Sequence, residues 1–119
     1  MNRQEPAERV THSAHRCVKL ALALPETPLG RHIRSPLIRC STGAAANYRA
    51  AGLAQSRAAF IAKLSIVVED SDESCFWMES LRGEGLLSKK KVDPLLSEGK
   101  ELTSVFIAAR RTTRGDSKW

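Results

Sequence analysis

Aromatic residues are scarce: three Phe, two Trp and one Tyr in 119 positions. Ala and Leu dominate instead, and small aliphatic side chains suit close helix packing better than a sandwich core. Cysteine is equally sparse. Cys17, Cys40 and Cys75 are an odd number, and no two have the short spacing of a zinc or redox motif. Each falls on an apolar helix face, so buried, reduced thiols of a cytoplasmic protein are expected. No apolar run approaches the roughly 18 residues of a membrane span. The opening Met-Asn-Arg-Gln-Glu-Pro lacks the apolar centre of a signal peptide, so neither a membrane nor an export route is expected. No stretch alternates with period two for long enough to form a strand.

Catalytic and ligand-binding patterns are missing as well. Di-iron bundles require paired Glu-x-x-His motifs, and no Glu here precedes a His by three. All three histidines lie before Ile33. His12 and His15 stand three apart near Glu8 without further ligands, so they are expected to face solvent. Cys17 is near both in sequence, but it lies on the apolar seam, which favours burial over nucleophilic chemistry. Gly83-Glu84-Gly85 is too short for a phosphate loop and lacks the Lys-Ser or Lys-Thr that follows one. Neither an enzyme nor a resident cofactor is expected.

Helical periodicity is abundant. Phe60, Leu64, Val67, Ser71, Ser74, Met78 and Leu81 recur at alternating spacings of four and three, the seam of a helix packed on other helices. A second stripe (Ile61, Ser65, Val68, Asp72 and Cys75) makes this a central helix, over about 55–82, with neighbours on both sides. Ser56 is its expected N-cap, and Gly83 and Gly85 its stop. Val10, Ala14, Cys17, Ala21 and Leu24 mark a first helix over about 6–24, ended by Pro25 and Pro28. Ile33, Leu37, Cys40, Ala44, Asn47 and Ala51 mark a second, about 30–51, in which Pro36 predicts a kink or a late start capped by Ser35. Val92, Leu95, Gly99, Leu102, Phe106 and Ala109 mark a fourth, started by Ser88 or by Asp93-Pro94. Four amphipathic helices with short connections predict an all-α, antiparallel up-and-down four-helix bundle. It is one domain spanning 1–119, with 1–5 and 113–119 as flexible tails.

Charge is segregated along the chain, with a formal net of +6. No acid lies between Thr27 and Val68, where Arg31, Arg34, Arg39, Arg49, Arg57 and Lys63 fall. Glu69, Asp70, Asp72, Glu73, Glu79 and Glu84 follow, and Arg110, Arg111 and Arg114 make the C-terminal part basic again. The acidic and basic blocks can pair within one molecule or across subunits. Left unpaired, Arg34, Arg39, Arg49, Arg57, Lys63, Arg110, Arg111 and Arg114 are the candidates for RNA or DNA phosphates. Without interleaved aromatics to stack bases, such binding would be weakly sequence-specific. Asp72 and Glu73 sit mid-helix and should find partners, with Arg39, Arg49 and Asn47 as candidates. Phe76 and Trp77 lie off the main seam and point to self-association.

Particular residues carry a family resemblance. Asn47-Tyr48-Arg49-Ala50-Ala51, Ser56-Arg57, Phe60-Ile61-Ala62-Lys63-Leu64, Ile66-Val67-Val68-Glu69, Asp72-Glu73-Ser74, Phe76-Trp77-Met78-Glu79 and Gly85-Leu86-Leu87 together resemble the four-helix-bundle family named after 23S ribosomal RNA intervening-sequence proteins. The resemblance spans about residues 14–112 and departs from the pattern at Pro36 and at Ser41-Thr42-Gly43. It implies a small cytosolic bundle of bacterial origin that assembles as a five-subunit ring. It also implies a link to nucleic acid, because some members are encoded inside ribosomal RNA insertions and a related retroelement accessory protein binds nucleic acid. The expected function is a non-enzymatic scaffold with nucleic acid as partner, the alternative being a scaffold that recruits a protein.

Overall fold

A computed structural model describes residues 4–115 and contains four helices: α1 (Gln4–Leu22), α2 (Pro28–Ala51), α3 (Arg57–Gly83) and α4 (Lys89–Arg114). The expected start and stop signals act where the backbone needs them. The Ser56 hydroxyl accepts from Ala59 N at 3.0 Å and the Ser88 hydroxyl from Lys91 N at 3.3 Å, each satisfying a first-turn donor of its helix. Gly85 follows α3 with a φ of +69°, a left-handed conformation that carries no Cβ penalty in glycine.

Two expectations about helix starts are corrected. α2 begins at Pro28 under a Thr27 cap, whose hydroxyl accepts from Gly30 N at 3.0 Å, and it is helical straight through Pro36. Ser35 caps nothing. Pro36 removes one backbone hydrogen bond, but Ile33, Leu37 and Cys40 are fully buried on either side and hold the helix in place. Likewise Pro94 lies inside α4 and does not start it. The helices also extend into the segments expected as tails, α1 from Gln4 and α4 to Arg114, with Gly115 in the left-handed region at φ +82°. The remaining parts of those segments, 1–3 and 116–119, lie outside the described residues.

The seams are the core. α1 ends at Leu22 and not at the expected 24, yet every position of its seam from Val10 through Ala21, and Leu24 just beyond it, is buried, as are the seam positions Leu64 to Leu81 on α3 and Val92 to Phe106 on α4. Core packing also fixes the direction of each helix. One apolar cluster joins the C-terminal part of α1 (Cys17, Leu20, Ala21) to the start of α2 (Ile33, Leu37), the end of α3 (Met78, Leu81) and the start of α4 (Val92, Leu95). The other joins Val10 of α1 to Ala44 of α2, Leu64 and Val67 of α3, and Leu102 and Phe106 of α4. Starts therefore meet ends at both poles, and the bundle runs up, down, up, down. α2 and α4 each pack against both α1 and α3, while α1 and α3 lie on opposite corners. Having two neighbours is thus common to all four helices; it does not single out α3.

Between the two clusters lies a waist of small, polar residues. Thr103 Oγ1 donates to Gly99 O at 2.8 Å, so the 2.7 Å contact between the Ser71 and Thr103 hydroxyls has Ser71 as donor. Ser74 Oγ donates to Asp70 O at 3.0 Å and lies 3.2 Å from Cys40 Sγ. Gly99 permits close approach here, since a Cβ would lie 3.0 Å from Cys75 Sγ, tighter than an ordinary contact. Burial pushes the Cys17 thiol up to about 12 and the Cys75 thiol to about 11, and it raises Cys40 as well. All three are buried protonated thiols, poor nucleophiles at neutral pH.

Candidate nucleic-acid interface

The up-and-down path decides where the basic residues go. Arg49 is near the end of α2, Arg57 and Lys63 are in the first two turns of α3, and Arg110, Arg111 and Arg114 are at the end of α4. These three segments form the same pole of the bundle, the one built on Leu64, Val67 and Phe106. Residues spread over more than sixty positions of sequence thus become one basic surface. Of the acids near it, Glu5 and Glu8 are on α1, on the corner opposite α3, while Glu69 and Glu101 border the cluster on its inner side.

The acidic block is held away from that pole. Glu69 is at the middle of α3, Asp70 to Glu79 follow toward its end and Glu84 lies just past it, so Glu73 is about 15 Å along the helix from Lys63. Arg39 alone links the two blocks, meeting Glu73 at 3.0 Å across the α2–α3 interface. Other acids have local partners: Glu79 meets Lys100 at 3.1 Å, and Asp93 meets Arg82 at 2.7 Å. Among the described residues, Arg49, Arg57, Lys63 and Arg114 make neither an ion pair nor a hydrogen bond, and all four are exposed. Arg110 is half-buried and donates to the Ser65 hydroxyl at 3.3 Å.

Two of the sequence candidates do other work. Arg34 is far from the basic pole. Its guanidinium donates to Ala21 O at 3.2 Å and Leu24 O at 2.9 Å and meets Glu26 at 2.6 Å. It satisfies carbonyls left over where α1 ends, a structural task. Arg39 is engaged by Glu73 and lies near the waist. Neither belongs to the basic pole.

The expected mid-helix carboxylates separate. Glu73 has the Arg39 pair and also accepts from Trp77 Nε1 at 3.2 Å. Asp72 is exposed and makes no ion pair or hydrogen bond among the described residues, so its place in an inward stripe is corrected. At the edge of the helical face a charge turns to water more cheaply than it finds a partner. Asn47 does find a carboxylate, but it is Asp70: Nδ2 lies 3.4 Å from Asp70 Oδ2 and donates to Gly43 O at 2.9 Å. Burial raises the Asp70 carboxyl above its ordinary value, and the Asn47 hydrogen bond acts in the opposite sense. A Cβ on Gly43 would come 2.7 Å from that carboxylate, so the glycine makes room for Asp70.

Sequence reasoning missed two features. Arg9 binds Glu98 with two nitrogens, at 2.9 and 2.7 Å, and Glu101 at 2.8 Å, tying α1 to α4. That pairing holds the Glu98 carboxyl below its ordinary value. The second is a groove of about 600 Å³ at the basic pole, lined by Tyr48, Phe60, Phe106, Arg57, Val105 and Ala109 among others. The Tyr48 and Phe106 rings lie 5.1 Å apart, tilted by 38°. Aromatics and arginines from α2, α3 and α4 are therefore together in space.

A solved structure shares this bundle. It is that of a protein of unknown function from the S23 ribosomal protein family of Bacteroides thetaiotaomicron, similar to this chain with a TM-score of 0.83 and 25% sequence identity. The match covers 89% of this chain and 98% of that one. No family model and no curated protein matches the sequence. The all-α four-helix bundle is thus shared with a solved protein, and the resemblance read from the residues is supported at the level of a related family. That relative points to no enzymatic family. Among the described residues no helix is long and apolar enough to cross a membrane, and no three His, Cys, Asp or Glu residues are grouped to hold a metal ion.

Proposed function

We propose that the chain is a non-enzymatic scaffold that binds nucleic acid by phosphate contact at its basic pole. The observation that carries this reading is the convergence of Arg49, Arg57, Lys63, Arg110 and Arg114 from three helices on one pole, none of them paired with a carboxylate among the described residues. A polyanion laid across that pole releases counterions for each phosphate contacted. Arginines on phosphates fix position and not sequence, so binding is general.

The test is fluorescence anisotropy with a labelled RNA strand at several salt concentrations. With four phosphate contacts, the logarithm of affinity should fall with a slope of about −3 against the logarithm of salt. Reversing Arg57 and Arg110 together to Glu should weaken binding by at least roughly tenfold and flatten that slope. A flat response in the native protein, or no binding at about 50 mM salt, removes the reading.

We also propose that the chain self-associates, as the ring of five that the family resemblance implies. Phe76 is 55% exposed on α3, its ring 5.0 Å from that of Trp77, which in turn meets His32 edge-on at 5.7 Å. Leu29, one turn before His32, also reaches solvent. A second copy would cover this patch. Light scattering at micromolar concentration should return five times the chain mass, and Phe76→Asp should reduce it to that of the monomer. A native protein that is already monomeric sinks the ring. The same patch supports the alternative reading, a scaffold that recruits a protein. A protein partner retained after nuclease treatment and lost in Phe76→Asp, with no oligonucleotide binding at low salt, would favour it.

A further inference from the structure

We infer that the chain carries a second phosphate site in the groove between α1 and α4, at the pole opposite the basic one, and so holds two nucleic-acid segments at once. This goes beyond the nucleic-acid reading above and rests on it. The groove has a volume of about 250 Å³ and is lined by Arg16, Lys19, Leu20 and Ala23 of α1 and by Lys91 and Leu95 of α4. Leu20 and Leu95 belong to the apolar cluster that joins the end of α1 to the start of α4, whereas the basic pole is built on the other cluster. The two surfaces therefore lie at opposite ends of the bundle. Lys91 is about 28 Å along α4 from Arg110.

The cations of this groove lack counter-charge within the chain. Among the described residues, the side chains of Arg16, Lys19, Lys89, Lys90 and Lys91 make neither an ion pair nor a hydrogen bond. Arg16 is half-buried, where a charge without a partner costs more than it does in open solvent. Its charge helps to hold the Glu98 carboxyl down, but Glu98 is already bound by two nitrogens of Arg9. Glu101 is held by Arg9, Asp93 by Arg82 and Glu26 by Arg34, and Glu84 pairs with none of the five. The first turn of α4 holds lysines and no acid, and the positive end of the helix dipole adds to them. A polyanion arriving here releases counterions, as at the basic pole. Shape narrows the choice among polyanions. The floor of Leu20, Ala23 and Leu95 offers no aromatic ring, and its volume is below the roughly 300 Å³ of sites that enclose a drug-sized ligand. It accommodates a sugar but not the broad apolar face of a peptide helix. Phosphates repeating along a strand reach the cations of both helices.

The test counts strands. A stacked RNA strand of about six nucleotides spans about 20 Å, too short to join the two surfaces. Calorimetric titration of the native, full chain with it at about 50 mM salt should return two strands per chain, a ratio that self-association leaves unchanged. Lys19→Glu with Lys91→Glu should reduce the count to one, while Lys100→Glu, a reversal midway along α4, should leave it at two. Arg57→Glu with Arg110→Glu should also leave one strand bound, with a salt slope of about −2 for three phosphate contacts. Adding Lys19→Glu and Lys91→Glu to that variant should abolish binding. Both lysines are exposed, and thermal melts check that each variant stays folded. One strand per chain in the native protein, or two in the variant lacking Lys19 and Lys91, overturns the second site and leaves the basic pole standing. A glutamate peptide of equal charge that binds the Arg57→Glu, Arg110→Glu variant as tightly as the strand overturns nucleic acid as the occupant. Absence of binding by the native chain overturns both surfaces.

Discussion

Replacing Phe106 by Ala should cost about 3–5 kcal/mol of stability, a large share of the roughly 5–15 kcal/mol expected of a domain this size. The side chain is the largest that is fully buried among the described residues, and it belongs to the cluster of Val10, Ala44, Leu64, Val67 and Leu102 that closes the basic pole. Truncation removes its apolar area from the core and leaves a cavity among residues from all four helices. Seam neighbours Leu102 and Val67 are themselves packed and cannot move far enough to fill it. The ring contact with Tyr48 at 5.1 Å is lost as well. Phe106→Leu keeps most of the volume and should cost only about 1 kcal/mol. Urea unfolding followed by circular dichroism at constant m-value measures both. A loss below about 1 kcal/mol for the alanine variant would mean that the C-terminal half of α4 is not docked as described.

Gly30→Ala should also destabilise, by roughly 2–3 kcal/mol, although alanine is the better helix former by about 1 kcal/mol. Gly30 is the third residue of α2, and a Cβ there would collide with the Pro25 carbonyl oxygen and come 3.2 Å from Thr27 Oγ1. Backbone cannot swing aside as a long side chain can. The connection is also fastened, since Arg34 holds Ala21 O and Leu24 O while Thr27 caps the helix. The sign is what the experiment decides. Gly83→Ala serves as the control: it is helical, with nothing within 4 Å of an added Cβ, and it should be neutral or stabilising by up to about 1 kcal/mol. Thermal melts of the two variants should move in opposite directions. If both rise, α1 and α2 do not meet as described.

Much of this bundle can be read from residue spacing. Seams at alternating four and three residues from Val10 to Leu24, Leu64 to Leu81 and Val92 to Phe106 became the buried faces of α1, α3 and α4, because a helix presents those positions on one side whatever surrounds it. The caps at Ser56 and Ser88 were readable for the same local reason. Pro36 does not delay the start of α2 because its cost is local and modest, while burial of Ile33, Leu37 and Cys40 is collective and larger. Asp72 and Cys75 shared an expected stripe, yet Asp72 turned to solvent and Cys75 stayed inside. Spacing places residues on a face, and only neighbouring helices settle where that face ends.

The chain alone determined its helices, their inward faces and a strong excess of positive charge. Tertiary structure decided which charges were already spoken for: Arg34 by the end of α1, Arg39 by Glu73, and Arg9 by Glu98 and Glu101. It also brought Tyr48, Phe60 and Phe106 to the pole where Arg49, Arg57 and Arg110 converge. The physical reason is range. Helix formation and amphipathicity are set by residues a few positions apart, whereas a charge finds its partner, or an aromatic its groove, only after distant helices have packed.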